Sequence, residues 1–193
     1  MNRREAIKRT GQLLGFVASS PVLLHLLQSC NNETPLNWSP TFFTREQAQL
    51  VSALADQILP KTDTPSASEV KVDQFIELMV SEVFQQYEQA DFIAGLKEID
   101  QKSEDRFEKF YFNLNDQSKY DLLHTIDSEI NYLDVETNVK KPFFLKFKEL
   151  TLLGYFTSKE IMKNHLVYDP LPMELDGCSP LMDGQKLNVG NHI

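Results

Sequence analysis

The sequence predicts an all-α domain: a small bundle of five or six helices with an irregular, Pro- and Gly-containing C-terminal tail. Three observations carry that prediction. Between residues 42 and 165 apolar side chains recur at three- and four-residue spacing, the mark of one helix face. Capping and stop residues bracket those runs. No two alternating apolar–polar runs flank a tight turn, as paired strands would require, and no internal repeat is present.

The elements follow in order. Thr44 with Gln47 forms a capping-box pattern, and Phe43 precedes it as a staple residue. Val51, Leu54, Ala55 and Ile58 then share one helix face, and Pro60 stops the helix. Residues 60–67 form a turn-rich loop. Ile76, Met79, Val80, Val83, Phe84 and Tyr87 predict a helix over 71–87, with a break near Ala90-Asp91. Phe92, Leu96, Ile99, Ser103, Phe107, Phe110 and Leu114 mark the next, in which Gly95 weakens the helix by about 1 kcal/mol relative to alanine. Asn115-Asp116 is a turn and cap, and Tyr120, Leu123, Ile126, Ile130 and Leu133 stripe a further helix. Residues 134–141 are a polar connection, and Pro142 suits a first helical turn. From Phe143 to Phe156 the chain is apolar nearly all round, a pattern buried by neighbours or by a partner. Ser158 caps a short helix through Lys163, and beyond Leu166 prolines and glycines punctuate the tail.

The first thirty residues have another character. Arg3-Arg4 opens a basic head, an apolar run extends from Leu13 to Leu27, and Leu27-Gln28-Ser29-Cys30 follows. These are the parts of an export signal of the twin-arginine type, with a lipoprotein-like cleavage box whose cysteine, Cys30, becomes lipidated. The run is shorter than the roughly 20 apolar residues that span a bilayer. The expected organisation is a signal over 1–29, a tether over 30–41, a helical domain over 42–165 and an extended tail over 166–193. The product would be exported folded and held as a periplasmic, membrane-anchored lipoprotein. Folded export serves proteins that acquire a cofactor before crossing, so cofactor motifs matter next.

None is evident. Seven scattered glycines make no dinucleotide or phosphate-binding loop. Cys30 and Cys178 cannot supply an iron–sulfur or haem set. His124, His165 and His192 lack the helical spacing of a zinc pair, and His124 reads as a structural histidine. Glu98, Asp100, Glu104, Asp105 and Glu108 read as a solvated face. No catalytic, cofactor-binding or metal-ligating residue is therefore assigned. The first 29 residues hold four of the 19 basic and one of the 28 acidic residues, which leaves 15 and 27, a net charge of −12. That balance excludes a nucleic-acid binder and disfavours electrostatic docking on anionic lipid. With Cys30 lipidated, Cys178 is a lone thiol in an oxidising compartment, to be paired with another chain or left reactive; otherwise a Cys30–Cys178 bridge is open. A folded-export signal on a chain without cofactor machinery fits a chain that serves a cofactor-bearing partner.

The segments Ile58-Leu59-Pro60-Lys61-Thr62-Asp63-Thr64-Pro65-Ser66-Ala67, Pro142-Phe143-Phe144 and Leu150-Thr151-Leu152-Leu153-Gly154-Tyr155-Phe156-Thr157-Ser158 give the chain a family likeness. Tyr168-Asp169-Pro170-Leu171-Pro172 and Gly177-Cys178 add to it. The chain resembles the gluconate 2-dehydrogenase subunit 3 family, the small subunits of membrane-associated flavin dehydrogenases, from about Phe43 to Pro180. Ser66 and Met173 stand where the resemblance implies glycine. The resemblance implies a subunit that carries the export signal and escorts an FAD-bearing catalytic subunit of the glucose–methanol–choline type. A c-type cytochrome with haem c would accept the electrons, and the substrates would be sugars, sugar acids or polyols. It also makes Cys178 the candidate for a disulfide to the catalytic subunit. Phe143, Phe144, Phe147, Gly154, Tyr155, Phe156, Tyr168, Pro170 and Pro172 become the candidate partner interface. Gly154-Tyr155 has a second reading, in which glycine admits a neighbouring helix and tyrosine packs with its hydroxyl bonded. Two alternatives stand beside the subunit: a lipid-anchored periplasmic helical binding module without a redox partner, and an enzyme using an acid/base pair such as Asp63 and His165.

Overall fold

The computed structural model describes residues 36–130 and 141–168, together with Pro180, Asp183, Gly184, Lys186, Asn188 and Val189. Among them lie six α-helices: α1 (Arg45–Ile58), α2 (Val72–Leu78), α3 (Gln86–Phe107), α4 (Asp116–Glu129), α5 (Phe143–Thr157) and α6 (Lys159–Asn164). The all-α expectation holds. The capping box of α1 is formed as read: Gln47 N–H donates to Thr44 Oγ1 at 3.2 Å, and Thr44 N–H to Gln47 Oε1 at 3.0 Å. Asn115 caps α4 and Ser158 caps α6 through their side-chain oxygens.

Helix α5 packs against α1, α2, α3 and α4. Its apolar character is used by that packing: Phe144, Phe147, Leu150, Gly154 and Tyr155 are all buried. Two glycines admit bulky side chains. A Cβ on Gly95 of α3 would lie 2.1 Å from Cγ of Phe143, and one on Gly154 would lie 2.5 Å from Cδ1 of Phe75 in α2. Each aromatic ring thus rests on bare backbone. Phe92 of α3 forms the middle of the core, with ring centroids at 5.1 Å from Phe143, 6.0 Å from Phe43, 6.1 Å from Phe84 and 6.2 Å from Phe147. Such aromatic pairs add about 0.5–1.5 kcal/mol each beyond their area.

Helix α2 also anchors the segment before α1. Trp38 Nε1 donates to Asp73 Oδ2 at 2.8 Å. Glu77 Oε1 accepts three successive backbone N–H groups, from Thr41 and Phe42 at 2.8 Å and Phe43 at 3.1 Å. Both acids are buried. Leu36, Trp38 and Phe42 pack against the core. Residues 36–41, part of the stretch expected to be tether, are therefore held against the helical domain.

Other boundaries differ from expectation for identifiable reasons. The helix expected over 71–87 is α2 followed by a π-helical turn, Met79–Val83, and it ends at Phe84. Gln89 of the next helix closes that end, its side-chain amide donating to the carbonyls of Val80, Ser81 and Phe84 at 3.0–3.3 Å. Helix α3 starts at Gln86, where the Gln85 N–H donates to the Glu88 carboxylate at 3.1 Å. The π turn rotates the stripe, so Val83 and Tyr87, expected inside, are 61% and 64% exposed. At its far end α3 stops at Phe107, with Glu108 in the left-handed region at φ 57°. Phe110 is exposed, and residues 111–113 form a 3₁₀ turn. Asp100 accepts the Tyr111 N–H of that turn at 3.0 Å, so it leaves the solvated face assigned to it, and burial raises its pKa. The Tyr111 hydroxyl is buried without a partner among the described residues, and burial, then the Asp116 charge, push its pKa far above the ordinary tyrosine value. A two-residue parallel ladder, β1 (Val167–Tyr168) with β2 (Asn188–Val189), is an element no sequence pattern announced. It pairs Val167 with Asn188 and is too short for any alternation to register.

Gly95→Ala gains about 1 kcal/mol of helix propensity but drives a methyl into the Phe143 ring. Overpacking of this kind costs about 1–3 kcal/mol, so the expected outcome is net destabilisation, read as a lower denaturation midpoint.

Burial raises the pKa of Asp73, opposed by the Trp38 hydrogen bond. A folded-state pKa above the unfolded value stabilises fully below the unfolded pKa and loses that effect as pH rises through the folded one. The stability of the wild type relative to Asp73→Asn is therefore expected to increase as pH falls from neutral towards the ordinary aspartate range, measured by urea unfolding at several pH values. A difference that stays flat or runs the other way contradicts it.

Candidate functional site

Two of the segments that carry the family likeness meet in space. Tyr155 of α5 donates its hydroxyl to the carbonyl of Pro65 at 2.8 Å, across 90 residues of sequence. The loop it holds is shaped from within. Ala67 N–H donates to the Leu59 carbonyl at 3.1 Å, and Thr62 N–H to that of Thr64 at 3.0 Å. Asp56 accepts the N–H and hydroxyl of Ser68 at 2.8 and 2.7 Å. Glu69 pairs with Lys61 and accepts the Ser66 N–H, and these two contacts lower its pKa. Between loop and helix lies an open cleft of about 780 Å³, lined by Lys61, Asp63, Pro65 and Lys71 on one side and Ser158, Lys159 and Glu160 on the other.

Next to the cleft in sequence is the outer face of α5. Its charges all fall in the first half, where they are engaged. Lys146 reaches Glu88 of α3 at 3.3 Å and lies 4.2 Å from the centroid of the Phe84 ring. Lys148 reaches Asp127 of α4 at 2.7 Å, and Glu149 reaches Lys141 at 2.6 Å. The half from Thr151 onward has no charge at all, and Leu152, Leu153 and Phe156 stand 37%, 48% and 45% exposed. Leu152, Leu153 and Phe156 are thus neighbouring apolar side chains open to water on one helix face.

The residues singled out as partner interface divide accordingly. Phe144, Phe147, Gly154 and Tyr155 are committed to the chain's own core, and Phe143 is half-buried over Gly95. They support the fold from inside and are not displayed; Gly154-Tyr155 takes the packing reading. Phe156 alone of the group on α5 is open. Leu152 and Leu153 join it and were not singled out, because a helix apolar nearly all round has no contrast to indicate its outer side. The available signal was the charge pattern, since Lys146, Lys148 and Glu149 have no counterpart later in the helix. Tyr168 belongs to β1. Arg3, Arg4, Cys30, Pro170, Pro172 and Cys178 lie outside the described residues.

Among the described residues the suggested acid/base pair is not assembled in the cleft. Asp63 lines the cleft, but His165, its suggested acid/base partner, caps the end of α6 and does not line it. His124 is exposed, its ring tilted against that of Tyr120 with centroids 5.7 Å apart. Among the described residues no group of three or more His, Cys, Asp or Glu side chains could hold a metal ion. Among them, too, no helix is long and apolar enough to cross a membrane. What the arrangement offers is a binding surface, with a polar cleft followed along the chain by an uncharged helix face.

A family model described as gluconate 2-dehydrogenase subunit 3 matches residues 45–173, from the first residue of α1 past the end of β1. The chain belongs to the gluconate 2-dehydrogenase subunit 3 family. No curated protein and no solved structure gives a significant match. Within the family match lie both the loop at Pro65 and all of α5, so the hydrogen bond that joins them connects two parts of the family's own sequence.

Tyr155→Phe removes that bond, leaves the ring in place and strands the Pro65 carbonyl. A net hydrogen bond is worth about 0.5–1.5 kcal/mol. The expected result is a loss of that size in chemical denaturation, with backbone protection in the Lys61–Pro65 loop falling more than that of α1 in hydrogen exchange.

Proposed function

We propose that the chain is the small, non-catalytic subunit of a gluconate 2-dehydrogenase-like complex, which oxidises a sugar, sugar acid or polyol on an FAD-bearing subunit of the glucose–methanol–choline type. The observation that supports this most is the uncharged outer face of α5 at Leu152, Leu153 and Phe156, in a family named for a subunit. In this reading that face and the cleft at Asp63 and Ser158 receive the flavin subunit, and Tyr168, Pro170, Pro172 and Cys178 extend the contact. The Arg3-Arg4 signal takes both subunits across the membrane folded. Cys30 then holds them at the periplasmic surface by its lipid, at about 0.8 kcal/mol for each buried methylene. FAD belongs to the partner, and a c-type cytochrome with haem c completes the electron path.

The test uses the tagged full-length chain, isolated gently from its native host. Flavin absorption and a large second subunit are expected in the isolate. The double substitution Leu153→Asp and Phe156→Asp puts two charges into the face, and at least a tenfold loss of co-isolated flavin is expected, with the domain's melting temperature kept near that of the wild type. A colourless, solitary chain would overturn the reading and leave a lipid-anchored helical binding module in its place.

A further inference from the structure

The contacts that hold residues 36–43 have an unusual composition. They are made by two acids one turn apart on the same helix, Asp73 and Glu77 of α2, each 34–36 residues along the chain from what it binds. One carboxylate oxygen of Glu77 takes the N–H groups of Thr41, Phe42 and Phe43 together. Ordinarily three consecutive N–H groups pointing at one place form an anion-binding nest; here the anion is supplied by the chain. Hydrogen bonds to an ionised acceptor are roughly twice as strong as neutral ones. Below them Phe43 is buried and stacks on Phe92, so the segment is held from both sides.

We propose that Asp73 and Glu77 act as a strap lock: residues 36–43 are fixed to the domain only while α2 is docked, and the two open together. A strap tied only by its own neighbours would fray from its end independently of the rest. This one is tied to a helix that the Gly154 contact with Phe75 seats on α5. Its opening therefore belongs to the cooperative unit of α2, as sub-global unfolding does in other proteins. Residues 36–43 then keep a fixed place on the domain when it is folded and none when it is not. That the export route uses this distinction rests on the escort reading; the lock itself does not.

Hydrogen exchange followed by mass spectrometry on the full-length chain tests the lock without reference to export. In the wild type the amides of residues 41–43 are expected to be protected to within about threefold of those of α2. Glu77→Ala is expected to lower their protection at least tenfold while α5 stays protected, with Glu77→Gln in between because its amide oxygen still accepts. Trp38→Phe, which deletes one donor and keeps a ring, is the gentler second variant. It is expected to raise exchange across 36–43 and leave α5 unchanged. Wild-type amides at 41–43 that exchange a hundredfold faster than α2 would overturn the proposal. So would Glu77→Gln and Trp38→Phe variants whose strap exchanges like the wild type.

Discussion

The seating of α5 on two bare stretches of backbone is the contact on which the rest of the domain depends. Phe143 rests on Gly95, and Phe75 rests on Gly154. At each point a ring lies where any side chain would hold the helices apart. The approach lets Phe147 reach Phe92 at the middle of the core. It also brings Tyr155 within reach of the Pro65 carbonyl, so the loop's shape follows from the helix packing. A fully buried phenylalanine is worth about 1.5–3 kcal/mol relative to exposure, and Phe92 and Phe147 reach that burial beneath a helix that both glycines let approach. The cleft, the loop and the open face of α5 are all built on this seating.

A second theme is the use made of carboxylates. The chain is strongly acidic, and most of its acids stand in water. Asp56, Asp73, Glu77 and Asp100 do something else: each accepts backbone N–H groups that no regular element satisfies. Buried N–H groups left alone cost about 1–3 kcal/mol each, and irregular segments between short helices have many of them. These acids close those segments. Their partners are main-chain donors, joined by the Trp38 indole at Asp73 and the Ser68 hydroxyl at Asp56.

Much of the fold was legible in the sequence because its signals are local. Thr44 with Gln47, Asn115 and Ser158 announce helix starts through hydrogen bonds three residues long, and each is formed. The errors fall where a distant group decides. Apolar spacing ran on past Phe84, but Gln89 caps the break from the next helix. Gly95 looked like a weakness in α3, and only the position of Phe143 shows it to be a socket. Residues 36–41 looked like tether because their composition is polar, while the acids that bind them lie more than thirty residues away. Of the residues singled out on α5, Phe144, Phe147, Gly154 and Tyr155 lie on its inner side, since nothing in a helix of nearly unbroken apolarity tells core from surface. The charge contrast between its two halves was the one local clue.

The late position of α5 in the chain has a consequence for synthesis. Phe75, Phe92 and Gly95 are made well before Phe143, and nothing earlier can stand in for that helix. At 5–20 residues per second, the growing chain needs on the order of 3–10 s to pass from the end of α3 to the end of α5. Throughout that interval its largest apolar surfaces face water, tethered to a ribosome among other nascent chains. Until residue 157 is made, the chain lacks the helix that covers Phe92 and receives Phe75 and Gly95.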